Sequence, residues 1–126
     1  MFVGSDSTAL SVTWTLLLLA IHPQIQDQLR AELRDLPRPD NLDDEAVLSH
    51  YQGLSAVPLL DKVCRESLRM VPPVHSTIRV ATQDDVLPDS KGGEGIYIRK
   101  GTKVYVPIEG LNMDREIWGK DAWKFM

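Results

Sequence analysis

Cys64-Arg65-Glu66-Ser67-Leu68-Arg69-Met70-Val71-Pro72-Pro73 is the stretch around which the sequence is organised. Upstream of it runs Val57-Pro58-Leu59-Leu60-Asp61-Lys62-Val63. Pro58 suits a first helical turn, where its missing N–H leaves no bond unmade, and Leu59, Leu60 and Val63 share one face. The helix is predicted to stop near Val71, because a residue before proline is pushed out of the α region and a second proline follows. Glu66 and Arg69 are three residues apart, so both leave the same face of that helix. Alone, the pair says little. With each charged type at roughly 6% of residues, about half of chains this long contain a Glu-x-x-Arg by chance. Its plain reading is a surface ion pair contributing roughly 0.2–0.5 kcal/mol.

Composition narrows the classes. The chain has 126 residues, 43% hydrophobic and 25% charged, which is globular composition with length for one modest core. A net charge of −4 and the lack of any basic run argue against a nucleic-acid surface. Cys64 is the single cysteine, so the chain forms no internal disulfide and no multi-cysteine metal site. His22, His50 and His75 are far apart and lack zinc spacing, and no metal ligand is assigned. Leu16-Leu17-Leu18-Leu19-Ala20-Ile21 ends an apolar stretch interrupted by Ser11, Thr13 and Thr15; it reads as shorter than a membrane span and as a helix buried on most sides. The start carries Asp6 and no positive charge, unlike a signal peptide. Met1 leads straight into Phe2-Val3 without a polar cap, and the other end reads Asp121-Ala122-Trp123-Lys124-Phe125-Met126. Self-contained domains usually end in solvated residues, so a fragment is expected.

Taken in order, residues 1 to about 21 read as one helix whose oddity is Ser5, Asp6, Ser7 and Thr8 beside Gly4. A mid-helix hydroxyl can bond the carbonyl four residues back, which for Ser7 is that of Val3, and Gly4 weakens the helix there. Two readings stand. Ser5 and Asp6 cap a helix beginning at Ser7, or the ladder opens locally and brings an acid and an alcohol beside a ligand, where burial tunes the acid for proton transfer. His22-Pro23 separates a second helix, Pro23 to about Asp35, with Ile25, Leu29 and Leu33 as its apolar face. Pro37-Arg38-Pro39-Asp40-Asn41 reads as a loop and Asp43 to Leu48 as a short helix with acids at its positive end. Tyr51-Gln52-Gly53 is expected to turn the chain into the central helix.

After Pro72-Pro73 the pattern becomes extended. Val74 to Ala81 reads as a strand, Asp84-Asp85 as a turn, and Ser90-Lys91-Gly92-Gly93-Glu94-Gly95 as a flexible loop. Ile96-Tyr97-Ile98 is expected to pair with Lys103-Val104-Tyr105-Val106-Pro107-Ile108 as a hairpin across Arg99-Lys100-Gly101-Thr102. Pro107 marks an edge or a strand end, and Leu111 to Met126 reads as irregular. The fold class expected is mainly α with a minor antiparallel β part.

The order Val3-Gly4-Ser5-Asp6-Ser7-Thr8, His22-Pro23, Glu66-Ser67-Leu68-Arg69, Pro72-Pro73, Arg79, Gly101-Thr102 and Ile117-Trp118-Gly119-Lys120-Asp121-Ala122-Trp123-Lys124-Phe125 resembles the C-terminal half of a cytochrome P-450. These enzymes are haem-thiolate monooxygenases. The resemblance covers the whole chain, 1–126, from the middle of the long distal helix to just before the meander, as a partial domain lacking the N-terminal half and the haem-ligand loop. Each motif is loose, their order and spacing together are specific, and the pattern is most like eukaryotic microsomal, fungal members.

The resemblance implies insertion of one oxygen atom of dioxygen into a small organic substrate, with haem as cofactor and an NADPH-dependent reductase as partner. It implies an endoplasmic reticulum membrane location for the full-length protein, with no anchor in this chain. Asp6 and Ser7, with Thr8 beside them, fall on the family's acid–alcohol motif, which delivers protons to iron-bound dioxygen. Gly4 would let the helix backbone pass close above the haem. Glu66 and Arg69 fall on the structural pair that locks to an arginine in the meander, and Arg79 on a basic position that contacts a haem propionate. His75 would line the substrate cavity.

Several positions depart from the pattern. Ser7 stands where threonine is usual, losing the methyl that fixes the rotamer. Val3 replaces alanine or glycine, and Arg99 a common proline. The signature cysteine loop lies beyond Met126; Cys64 sits inside a helix and is expected to be small core filler. Without an axial thiolate, a polypeptide of these residues alone is expected to be inactive. The reading from a different class is a small helical interaction module without cofactor, with Asp6 as a cap and Glu66–Arg69 as a surface pair.

Overall fold

The computed structural model describes residues 3–37, 43–89 and 92–126. Arg38 to Asn41 of the first expected loop, Ser90-Lys91 of the second, and the Val3 side chain lie outside the described residues. Among the described residues, six helices and four strands follow in the order α1 (Val3–Ile21), α2 (Pro23–Arg34), α3 (Asp44–Ser55), α4 (Pro58–Met70), β1 (Thr77–Val80), β2 (Asp85–Leu87), β3 (Ile96–Ile98), β4 (Lys103–Val106), α5 (Ile108–Asn112) and α6 (Arg115–Trp118). The expected class, mainly α with a minor antiparallel part, is the one observed.

The α4 boundaries follow from the prolines. Pro58 opens it behind an extended Val57, and Val71 closes it at φ −135° and ψ 79°, its N–H still bonding the Ser67 carbonyl at 2.9 Å. Pro72 thus ends the helix through the residue before it. At the α1–α2 corner, His22 donates its backbone N–H to Leu19 and holds its Nδ1 2.8 Å from the Leu18 carbonyl, while Pro23 starts α2. Around this corner sits the core. Leu18 and Leu19 of α1, Leu29 of α2, Val57, and Val63 of α4 pack together, and Phe125 closes the cluster. The Phe125 ring lies 5.1 Å from that of His22. Burying each such side chain stabilises by roughly 1.5–3 kcal/mol.

Four expectations change here. First, α1 is not buried on most sides: Leu16 is 61% exposed, and Leu10, Val12, Trp14, Leu17 and Ile21 are exposed too. Its segment Gly4–Ile21 is also long and apolar enough to cross a membrane by length and composition, contrary to the shorter span read from sequence. Asp6 is its single charge, and the hydroxyls that interrupt it are satisfied internally: Thr8, Ser11, Thr13 and Thr15 each donate at 2.8 Å to the carbonyl four residues back. Second, α3 runs on through Tyr51-Gln52-Gly53 to Ser55, capped by the Asp43 carboxylate accepting from the Ala46 N–H at 2.8 Å. Packing against α4 offsets the roughly 1 kcal/mol that glycine costs in a helix. Third, Cys64 is exposed on α4 rather than buried, because Val63 and Ser67 take the inward positions of that turn.

Fourth, β3 does not pair with β4. Antiparallel ladders join β1 to β4, with Thr77 opposite Val106 and Val80 opposite Lys103, and β2 to β3, with Asp85 opposite Ile98 and Leu87 opposite Ile96. The expected turn at residues 99–102 exists, since the Thr102 N–H bonds the Arg99 carbonyl at 3.0 Å across Gly101 at φ 85°. The Ala81 N–H takes the Thr102 carbonyl at 2.9 Å and its carbonyl takes the Gly101 N–H at 2.8 Å, so the arm continues along the ribbon. Asp85 is a strand residue, and β4 ends before Pro107, as a residue lacking an N–H requires. The tail is not wholly irregular, for α5 and α6 occupy part of it.

Candidate functional site

The Arg69 side chain is 6% exposed, which rules out the surface ion pair as its description. Its Nε donates to Glu66 Oε2 at 2.8 Å and its Nη2 to Glu66 Oε1 at 2.7 Å, a parallel two-bond fork. Nη1 donates to the carbonyls of Asn112 at 2.8 Å and Ala122 at 2.6 Å, and Nη2 also to that of Lys124 at 3.0 Å. A guanidinium has five N–H donors, and here five oxygens accept them. The ring of Trp118 lies over the guanidinium, 5.0 Å from Cζ, and Trp118 Nε1 is tied to the Leu111 carbonyl at 3.1 Å.

Glu66 is held as firmly. Its carboxylate also accepts the Met126 N–H at 3.2 Å, and its side chain is 15% exposed. The fork from Arg69 holds its carboxyl below the ordinary value of 4.5, against a desolvation penalty acting the other way. The same fork raises Arg69 above its already high value. Charge burial is tolerated because the pair is complete. Between the two, Ser67 is 2% exposed, and its Oγ is without a hydrogen-bond partner among the described residues.

This arrangement gathers the last stretch of chain onto α4. Asp114 caps α6 by accepting the Glu116 N–H at 2.8 Å, Gly119 ends it at φ 80°, and the turn that follows delivers Ala122, 1% exposed, with its carbonyl on Arg69. Nothing in the sequence announces these partners, since they are backbone carbonyls 43 to 55 residues away. The one available signal was the cluster of apolar residues at Trp118, Ala122 and Phe125.

The other sequence-predicted residues lie elsewhere. Gly4, Asp6, Ser7 and Thr8 are all inside α1, which is continuous from Val3, so neither a cap at Ser5–Asp6 nor an opened ladder is present. Asp6 and Thr8 are exposed and Ser7 is half-buried, so the burial expected around the acid is not supplied by the residues described. A Cβ on Gly4 would meet nothing within 4 Å. Arg79 is exposed on β1, and its Nη1 donates to Thr77 Oγ1 at 2.5 Å and to the Ile78 carbonyl at 3.1 Å, both in its own strand. It has no carboxylate partner among the described residues. His75 lines an open cleft with Tyr105, Pro107, Met113 and Trp123, its Nδ1 3.2 Å from Glu109 Oε2. No group of three metal-ligating side chains occurs among the described residues.

Comparison with known proteins agrees with this fold. The family model of the cytochrome P-450 enzymes matches residues 1–126. Cytochrome P-450 monooxygenase 128 of Postia placenta is 38% identical over 130 residues, covering 97% of this chain and 22% of that protein. A cytokinin hydroxylase of Arabidopsis thaliana is 36% identical, covering 98% and 22%. A crystal structure of a cytochrome P-450 superposes with a TM-score of 0.76 at 26% identity, over 98% of this chain and 26% of that one. The chain thus spans under a quarter of the length of these curated relatives.

Proposed function

The chain belongs to the cytochrome P-450 family, and we propose that it forms the part of a haem-thiolate monooxygenase that runs from the distal helix to the segment before the meander. The whole enzyme inserts one oxygen atom of dioxygen into a small organic substrate, takes electrons from an NADPH-dependent reductase, and works at the endoplasmic reticulum membrane. The likeness to fungal monooxygenases supports the reaction class.

Two features fit a haem. Arg79 is an exposed guanidinium uncommitted to any carboxylate among the described residues, suited to charge-assisted bonds with a propionate. Gly4 leaves open space above the backbone of α1, where a flat macrocycle can approach. Bound haem supplies the iron at which dioxygen is reduced, and a thiolate ligand favours O–O cleavage. Cys64 is not assigned as that ligand, because it sits on the exposed face of α4 beside Arg65 and Glu66.

The chain's own residues divide the remaining work. Asp6 accepts and releases a proton at its carboxylate, and the Ser7 hydroxyl, with Thr8 one residue on, hands protons toward the reacting oxygen. Arg79 fixes the edge of the macrocycle. Glu66 and Arg69 hold the last described segment, residues 112–126, against α4 and so keep the cofactor-side scaffold assembled. Supporting this reading above all is the buried guanidinium whose five donors are all matched.

The experiment is a full-length enzyme containing this sequence. Its reduced carbon-monoxide complex is expected to give the red-shifted Soret band of thiolate-ligated haem, and a histidine-type spectrum would count against the proposal. In the same protein, Arg69→Lys and Glu66→Gln are expected to abolish haem incorporation; full loading in either would remove the pair from the cofactor scaffold.

A further inference from the structure

The two ladders are one ribbon. Val80 faces Lys103 in the first and Asp85 faces Ile98 in the second, so four residues are set aside on each arm, 81–84 and 99–102, and pairing resumes in the same register. That register needs an explanation. A one-residue slip turns every side chain to the opposite face, and a buried face normally forbids it. Here most strand residues are exposed: Ile78, Val80, Val86, Ile96, Tyr97 and Tyr105 all lie between 54% and 69%. Backbone ladder bonds do not discriminate either, since every register offers the same N–H and C=O groups.

Two sequence-specific features remain in the interruption. Gly101 fixes where one arm turns, by its φ of 85°. Asp84 fixes what that turn faces: Oδ1 accepts the Lys100 N–H at 2.7 Å and Oδ2 accepts the Tyr97 hydroxyl at 2.7 Å. One carboxylate thus reads a side chain and a backbone amide three residues apart, a combination found in one register only. Both contacts favour the ionised carboxylate, the Lys100 amide more than the Tyr97 hydroxyl, and hold it below its ordinary value.

We propose that Asp84 is a positioning residue, the register lock of the ribbon, and that through it the face on which Arg79 stands is set. Arg79 lies opposite Val104, and a slip of one residue would carry its guanidinium to the other side of the sheet. The consequence for the cofactor rests on the reading of Arg79 given above; the lock itself does not.

Asp84→Ala in the 126-residue chain, followed by amide hydrogen exchange and cross-strand backbone NOEs, tests the lock without any cofactor. The Lys100 amide is expected to lose about tenfold in protection. A second set of NOEs, placing Arg79 beside a neighbour of Val104, is expected beside the native set. Tyr97→Phe removes one of the two contacts and is expected to show the slipped set at a lower population, with a smaller loss of Lys100 protection than in Asp84→Ala, and Asp84→Asn to restore most of the native pairing. A single native NOE set in both Asp84→Ala and Tyr97→Phe would overturn the proposal. So would loss of helical ellipticity in Asp84→Ala, because a register lock acts on the ribbon alone. Should the lock hold while Arg79→Ala leaves haem loading of the full-length enzyme intact, the reading of Arg79 fails and the lock stands.

Discussion

Replacing Arg69 by lysine keeps a positive charge and removes the fork, which separates geometry from charge. The wild-type guanidinium makes five N–H···O bonds to Glu66 and to the carbonyls of Asn112, Ala122 and Lys124. At roughly 1.5–3 kcal/mol for each bond to a charged group, five independent bonds would rival the whole stability of a domain, about 5–15 kcal/mol. They cannot be additive, because one side chain anchors all of them. The usable figure is the cost of breaking a buried pair, about 3–5 kcal/mol. An ammonium has three donors on one nitrogen and cannot reach a bidentate carboxylate and three carbonyls together, so most of that cost is expected in Arg69→Lys. With a urea dependence of about 1–3 kcal/mol per molar, the unfolding midpoint followed by far-UV ellipticity should fall by about 1–3 M. Glu66→Gln keeps the shape but leaves the buried guanidinium without its counter-charge and sets an amide NH2 against one of its donors, so it is also expected to cost about 3–5 kcal/mol. If both variants stay within about 0.5 kcal/mol of wild type, the pair behaves like an exposed one and its burial adds nothing to stability.

Because Arg69 holds Glu66 below its ordinary value of 4.5, the pair's contribution is complete above that pH and declines as pH falls through the lower folded value; urea midpoints taken from neutral to acid pH should show this slope in wild type and a flatter one in Glu66→Gln. Phe125 is 7% exposed and closes the core against His22, so Phe125→Ala is expected to cost about 3–5 kcal/mol by thermal or urea unfolding. In a haem-loaded enzyme containing this sequence, Ser7→Ala should raise peroxide release relative to product. Unchanged coupling there would take Ser7 out of proton delivery.

Much of the helical frame was legible because its signals are local. Pro23 and Pro58 mark first turns, Pro72 and Pro73 a stop, and the apolar spacing of Ile25, Leu29 and Leu33 an inward face. Where reading went astray, a distant partner decided. Gly53 looks like a breaker, yet α3 packs on α4 and keeps its helix to Ser55. Ile96-Tyr97-Ile98 and Lys103 to Val106 look like the arms of a tight hairpin, but each finds its partner further back, at residues 85–87 and 77–80. For Glu66 and Arg69 the spacing gave the shared face and no more. Their burial depends on carbonyls supplied by residues 112–124, which no side-chain pattern encodes.

Anchoring to backbone carbonyls carries a further expectation. The contacts that hold this structure together are largely directed at backbone: Arg69 at three carbonyls, four hydroxyls of α1 at carbonyls one turn back, Asp84 at an amide. A backbone group is present whatever residue occupies the position, which gives a physical reason why a TM-score of 0.76 survives at 26% identity. The side chains of Asn112 and Lys124 should then be dispensable although their carbonyls are not. Lys124 adds only an exposed pair to Asp121 at 2.8 Å, so Asn112→Ala and Lys124→Ala are each expected to change stability by no more than about 0.5–1 kcal/mol. Ala122 differs, being 1% exposed. Two added methyl groups in Ala122→Val have no room and should cost about 1–3 kcal/mol. Urea unfolding of the three variants side by side decides the matter: a loss in Asn112→Ala or Lys124→Ala as large as that in Arg69→Lys would mean that side-chain identity, and not the carbonyl cage, holds the C-terminal segment on α4.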